Sequence, residues 1–452
     1  MSPPDTLPAV TGLRTAIDEV LPEARAGLER LVRIPSVSAD GFDPTEVRRS
    51  AEATGEILER CGLDGVRLLE VDGAHPAVYG EHRAPTGAPT ILLYAHHDVQ
   101  PEGDKAEWDS PPFEPVERDG RLYGRGTSDD KAGIAMHVAA MKAHQGAPPV
   151  GVTALIEGEE EIGSTHLTQF LDTYGDLLRA DVIVLADLAN WRVGEPALTT
   201  SLRGLVDCVV EVRTLDHAVH SGMFGGPFPD AVTALARLLA TLHDDQGRVA
   251  IAGLVSNESG GLDLSEKELR EQAGAVEGVK RIGEGSLTAQ MWTMPSVSVL
   301  AVDAPRIGEA ANKLVPVARA KVSLRIAPGD QPDRAMDALV GHLESHAPWG
   351  AEIRITRGAE ARPFAVRAEG PAFDAARQAF KEAWGVLPVD IGAGGSIPLV
   401  AAFADAFPET PILLTGAADP DSRAHGANES LHLDDFAKAC LAEALLLRHL
   451  AG

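Results

Sequence analysis

Cysteine is scarce in this chain of 452 residues: Cys61, Cys208 and Cys440 stand far apart, with no CxxC pair. A zinc ribbon and a disulfide framework are therefore excluded, and buried free thiols are expected. Cationic side chains are also few. Lysine plus arginine total 40 against 67 aspartates and glutamates, a formal charge of −27. Such an acidic balance argues against nucleic acid and anionic membrane surfaces as partners. No stretch reaches the roughly 18 uninterrupted apolar residues of a membrane span. Residues 1–10 hold three prolines and no apolar run behind a basic cluster, so no secretory signal is expected. A soluble, cytoplasmic protein is the expectation. The GxSxG elbow of serine hydrolases is missing as well, which disfavours that chemistry.

What is present is ordinary globular material. Hydrophobic residues make up 44% and charged residues 24%, which rules out a disordered chain, a collagen-like repeat and a coiled-coil rod. The length suggests two or three domains. The stretch before Asp43 reads as a polar lead. Asp43-Pro44-Thr45-Glu46 then supplies an N-cap, a proline at N1 and an acid at N3, and apolar residues recur at helical spacing up to Gly62. Residues 90–95, 151–156 and 181–186 are short, nearly continuous apolar runs, which suit central strands of a mostly parallel sheet covered on both faces. Helical patterns lie between them, notably at 130–144. This is an α/β layer architecture.

The rhythm changes near residue 201. Residues 206–212 and 318–326 alternate like half-buried antiparallel strands, with helical patterns at 229–243 and 332–346. From about residue 371 the α/β pattern returns, with a helix to Trp384, a strand at 411–414 and a last helix from Leu433. The expected organisation is a discontinuous catalytic domain, residues 1–200 and 365–452, around an inserted α+β domain, residues 201–364.

Several acidic and imidazole side chains cluster at strand ends. His96 and Asp98 sit just past the run at 90–95, two apart and thus on one face, so Asp98 can accept a hydrogen bond from the imidazole. That is the carboxylate a metal-bound histidine usually has behind it. His97 would point to the other face. The segment LYGRGTSDDKAG (122–133) puts two aspartates between a glycine-rich turn and a helix, where either Asp129 or Asp130 could serve as a helix cap. It lacks the GxxxxGKS/T order of a phosphate loop. EGEEE (157–161) ends another strand, Asp187 a third, and His425 lies in a late loop. Like charges at the end of a buried strand are costly unless cations are present. Ligand sites of open α/β sheets lie at the carboxyl edge, where these residues converge. Two histidines with three carboxylates suit a pair of divalent ions, most simply Zn2+, with Mn2+ or Co2+ also accommodated.

The order of YAHHDVQP (94–101), GRGTSDDKAG (124–133), EGEEEIGS (157–164), Asp187, HSGMFGG (220–226), GGSIP (394–398) and His425 resembles the di-zinc metallopeptidases. These are the carnosinase and cytosolic dipeptidase, aminoacylase and acetylornithine deacetylase family. The resemblance runs from about residue 15 onward and is nearest to the dipeptidase branch. It implies that Asp129 bridges two metals, that His96 and Asp187 complete one site, and that Glu161 and His425 complete the other. It further implies Glu160 as general base, Asp98 as the carboxylate orienting His96, a metal-bridging hydroxide as nucleophile, and a cis bond between Asp129 and Asp130. His220 resembles the family histidine that stabilises the oxyanion, often from the partner subunit of a homodimer. Arg325 and Ser396 resemble the groups that hold the substrate's terminal carboxylate. One departure is that the first motif reads AHHD, without the usual glycine before the histidine, which keeps His97 as a second candidate ligand. The implied activity is hydrolysis of dipeptides or short peptides with a free C-terminal carboxylate. Deacylation of an N-acyl amino acid by the same centre is the alternative, and a non-catalytic binding module is a more distant one.

Overall fold

A computed structural model describes residues 6–452 except 259, 260, 263 and 396. The chain divides into two compact units. The first comprises Met1–Thr200, Arg367–Asp390 and Pro398–Gly452; the second comprises Ser201–Val366 and Ile391–Ile397.

The first unit is built on a mixed sheet. Strands β1 (Asp64–Leu69), β2 (Ala77–His82) and β3 (Thr90–His96) are joined by strands Gly151–Glu157, Val182–Leu185, Ile412–Leu414 and Ala197–Leu202. Across the sheet the order is β1, β2, Gly151–Glu157, β3, Val182–Leu185, Ile412–Leu414, Ala197–Leu202. The middle four strands run parallel to one another. Their neighbours, β2 and Ala197–Leu202, pair antiparallel. Every residue of Gly151–Glu157 and of Val182–Leu185 is buried. That accounts for their unbroken apolar runs, since a strand covered on both faces has no solvent side to alternate with.

Helix α1 (Thr6–Val32) corrects the reading of residues before Asp43 as a polar lead. Leu13, Ile17, Ala24, Leu28 and Leu31 are buried and recur at three- to seven-residue spacing along one stripe. Prolines near its start and Pro22 within it obscure that stripe in the sequence, although burial of the stripe outweighs the lost backbone bond. Helix α2 (Pro44–Arg60) starts as its cap signals indicate, with the Asp43 side chain accepting from the amide of Thr45. Helix α3 (Lys131–Ala143) is almost wholly buried. It packs with α1 and with the helix Leu433–His449, which in turn packs on Pro371–Trp384.

The second unit is a four-stranded antiparallel sheet in the order Ser296–Asp303, Val317–Ile326, Gly204–Arg213, Glu352–Ala361. Val206, Cys208, Val210 and Val212 are buried at period two, opposite the buried Ala318, Ala320, Val322 and Leu324. That face packs on the helices Ala231–Ala240 and Pro332–Ser345 through Leu235, Leu238, Met336 and Leu339. All three cysteines are buried free thiols.

Candidate metal centre

Strand direction brings the ionisable residues of the first unit together. β3 runs parallel to Gly151–Glu157 and to Val182–Leu185, so His96, Glu160, Glu161 and Asp187 all leave the sheet at one edge. Asp129 arrives from the turn ahead of α3. That turn needs glycine at position 126, where φ is 83° and a Cβ would lie 2.7 Å from Val99 Cγ1. Asp130 is the helix cap: it accepts from the amide of Gly133 at 3.2 Å and, with its other oxygen, from the amide of His96 at 3.2 Å. Asp129 is thereby left for other work, and the bond between the two aspartates is cis.

The two oxygens of Asp129 meet two different imidazoles. Oδ1 is 3.1 Å from His96 Nε2, and Oδ2 is 3.0 Å from His425 Nε2. Asp187 Oδ1 lies 3.6 Å from His96 Nε2, and Glu161 Oε2 lies 3.2 Å from His425 Nε2. Two groups that share Asp129 result, His96–Asp129–Asp187 and Asp129–Glu161–His425, each with its donor atoms within 4.8 Å of one another. His97 takes no part. Its Nε2 is 2.9 Å from the carbonyl of Pro76, and burial pushes its pKa down to about 4.

Asp98 is fully buried and serves both groups. Its Oδ1 and its carbonyl oxygen lie 3.3 Å and 3.1 Å from His96 Nδ1. Facing acceptors there, Nδ1 holds a proton, so Nε2 is the nitrogen that would present a lone pair to a bound cation. Asp98 Oδ2 accepts from Ser38 Oγ at 2.7 Å and from the amide of Glu161 at 3.1 Å. Gln100, unremarked in the sequence beyond its place in a motif, fixes Glu161: its amide donates to Oε1 at 3.0 Å and its Nε2 to Oε2 at 2.8 Å.

The electrostatics ask for cations. Burial, reinforced by neighbouring carboxylates, pushes Glu160 and Asp187 above the usual range and Glu161 to about 7. Burial would raise Asp129 too, but hydrogen bonds from His425 and His96 outweigh it and hold that carboxyl low. Imidazole nitrogen and carboxylate oxygen around one shared aspartate fit a pair of divalent ions.

His425 comes from a loop in which Arg423, His425 and Asn428 have φ of 55°, 64° and 61°. Such left-handed backbone costs on the order of 1 kcal/mol per residue and needs outside support. Part of it comes from Arg121, which donates to Asp419 Oδ2 and Ser430 Oγ, each at 2.8 Å.

His220 and Arg325 belong to the second unit. His220 is exposed and caps a short helix, its Nδ1 accepting from the amide of Gly222 at 3.1 Å. Arg325 is half-buried on Val317–Ile326; burial lowers its pKa, and burial together with Arg325 lowers that of Arg203 to about 10. Ser396 lies outside the described residues.

Known proteins resemble this chain along most of its length. A cysteinylglycine-S-conjugate dipeptidase of Corynebacterium striatum is 34% identical, over 86% of this chain and 87% of its own. A Beta-Ala-His dipeptidase of Rattus norvegicus is 28% identical, over 79% of this chain and 76% of its own. The solved dipeptidase Dug1p of Saccharomyces cerevisiae superimposes with a TM-score of 0.84 over 98% of both chains, at 23% identity, which shows the fold. Residues 92–449 match the model of peptidase family M20/M25/M40, and the chain belongs to that family.

Proposed function

We propose that this chain is a metal-dependent dipeptidase, cleaving the peptide bond of dipeptides or short peptides with a free C-terminal carboxylate. The observation that carries the reading is Asp129, whose two oxygens each meet an imidazole of a separate donor group. His96, Asp129 and Asp187 would hold one ion, and Asp129, Glu161 and His425 the other, with zinc the ion that best suits the donors. When bound, such a pair polarises the scissile carbonyl and lowers the pKa of the attacking water.

Glu160 adjoins both groups, and its burial beside other carboxylates raises its proton affinity. Its carboxylate takes the proton of the attacking water and passes it to the leaving amine. Asp98 keeps His96 in the tautomer that presents Nε2. His220 would donate to the oxyanion, and Arg325 and Ser396 would hold the terminal carboxylate, for which a guanidinium fork is the natural clamp. We further propose a cytoplasmic homodimer in which His220 serves the partner's site. The deacylase alternative is not favoured, since the relatives matched along most of the chain carry dipeptidase names.

The test is metal analysis joined to a substrate panel. Two ions per active chain, loss of activity on chelation, and turnover of free-carboxylate dipeptides over N-acetyl amino acids are expected. No ion, or one, per active chain rejects the centre. For the dimer, inactive Glu160→Ala and His220→Ala chains are mixed under subunit exchange. Recovery to about a quarter of wild-type activity is expected from random pairing, and no recovery places His220 in its own chain's site or in none.

A further inference from the structure

The turn bearing Asp129 is gathered by one side chain from far along the chain. Glu429 is fully buried. Its Oε1 accepts from the amide of Ser128 at 2.9 Å, from Ser128 Oγ at 3.1 Å and from the amide of Asp129 at 3.2 Å. Its Oε2 accepts from the amide of Gly126 at 2.9 Å and from Arg125 Nη1 at 2.8 Å. Its backbone carbonyl takes the amide of Gly124 at 2.9 Å. Arg125, itself buried, reaches on with Nη2 to the carbonyl of Pro101 at 3.2 Å.

Three segments therefore meet at one ion pair. Pro101 ends the segment that begins with His96, Ser128 precedes Asp129, and Glu429 follows His425 by four residues in the loop of left-handed backbone. Only an ionised carboxylate accepts at both ends. A glutamine there would turn its amide hydrogens toward either the Ser128 and Asp129 amides or the Gly126 amide and Arg125. Placing another acid beside Asp129 is otherwise unfavourable, and Arg125 offsets it.

We propose that Glu429 is a positioning residue of the metal centre: it fixes the Asp129 turn against the His425 loop and so sets how tightly the second ion is held. This rests on the di-metal reading above. The test is titration of the metal-free full-length chain with zinc against a chromophoric chelator, alongside thermal melting of the metal-free protein. Glu429→Gln should weaken zinc binding at the Asp129, Glu161 and His425 group by about 10–100-fold, the range found when groups behind metal ligands are removed. Saturating zinc should restore most of kcat, with KM for a dipeptide unchanged. A merely structural residue would lower the melting temperature and leave zinc affinity alone, and that result overturns the proposal. Should Glu429→Gln not fold, Arg125→Lys and Ser128→Ala decide. Each removes one strand of the clasp, and wild-type zinc affinity in both overturns it equally. A wild-type chain that binds no zinc refutes the di-metal reading instead, so the two failures are distinguishable.

Discussion

The two halves of the candidate centre are made of different material. On one side, His96 ends a central strand, its ring fully buried, its amide bonded to Asp130 and its Nδ1 backed by Asp98. Asp187 follows a neighbouring buried strand. On the other side, Glu161 sits in a short helical turn and His425 on a left-handed loop, its side chain 58% exposed. A strand end is ordered by the sheet at no further cost, whereas a loop ligand must be held by remote anchors. The lesson is an asymmetry of affinity: the ion on His96 and Asp187 should bind tighter and exchange more slowly than the ion on Glu161 and His425.

The strongest way to break the comparison is to remove what the halves share. Asp129→Ala should drop activity to background and metal content below one ion per chain; retention of two ions would mean that Asp129 bridges nothing. Next in size is Glu160→Gln, which should keep both ions while slowing turnover by about 10²–10⁴-fold. A near-wild-type rate there removes Glu160 as the base. The asymmetry itself is sharpened by pairing His425→Ala with Asp98→Asn. His425→Ala should lose one ion, recoverable with excess metal, whereas Asp98→Asn should weaken the tight site by about 10–100-fold. Stepwise removal by a chelator, followed by metal analysis, checks the order; simultaneous loss of both ions contradicts it.

The smallest effect concerns the ground beneath the buried half. His137 on α3 presents Nδ1 to Glu443 at 2.8 Å and Nε2 to the carbonyl of Tyr94 at 3.0 Å, acceptors on both sides. Burial lowers its pKa, but the charge and hydrogen bond of Glu443 and the Tyr94 carbonyl raise it more, so the net direction is up. A raised folded-state pKa gives stability that is whole below about pH 6.5 and fades as pH rises through the folded value. The stability gap between wild type and His137→Gln, on the order of 1 kcal/mol, should therefore shrink with rising pH in denaturant melts. A gap that stays constant from acid to alkali contradicts the charged pair.

Local signals carried much of this molecule into view. Apolar runs announced the central strands because burial on both faces leaves a mark on every residue, and period-two reasoning put Asp98 behind His96 rather than His97. The cap of α2 was legible because its chemistry lies within four residues. Helix α1 was not, since its prolines spoke louder than a stripe whose packing partners lie far off in sequence. Glu429 and Arg125 were invisible for a related reason: in a polar loop and a glycine-rich turn they look solvated, and only the fold buries them against each other. The antiparallel flanks of the sheet also left no trace, because pairing direction is a property of partners and not of one strand.

The pairing of Ser430–His432 with Arg121–Tyr123 has a bearing on biosynthesis. Ser128 and Glu429 are 301 residues apart. At about 5–20 residues per second, the ribosome releases Asp129 some tens of seconds before Glu429 exists. During that interval the nascent protein carries an acidic strand edge with neither its clasp nor His425, so the donor group of Asp129, Glu161 and His425 is completed late. A ribosome stalled shortly before residue 425 would leave a chain with nearly all of its sheet and an incomplete metal centre.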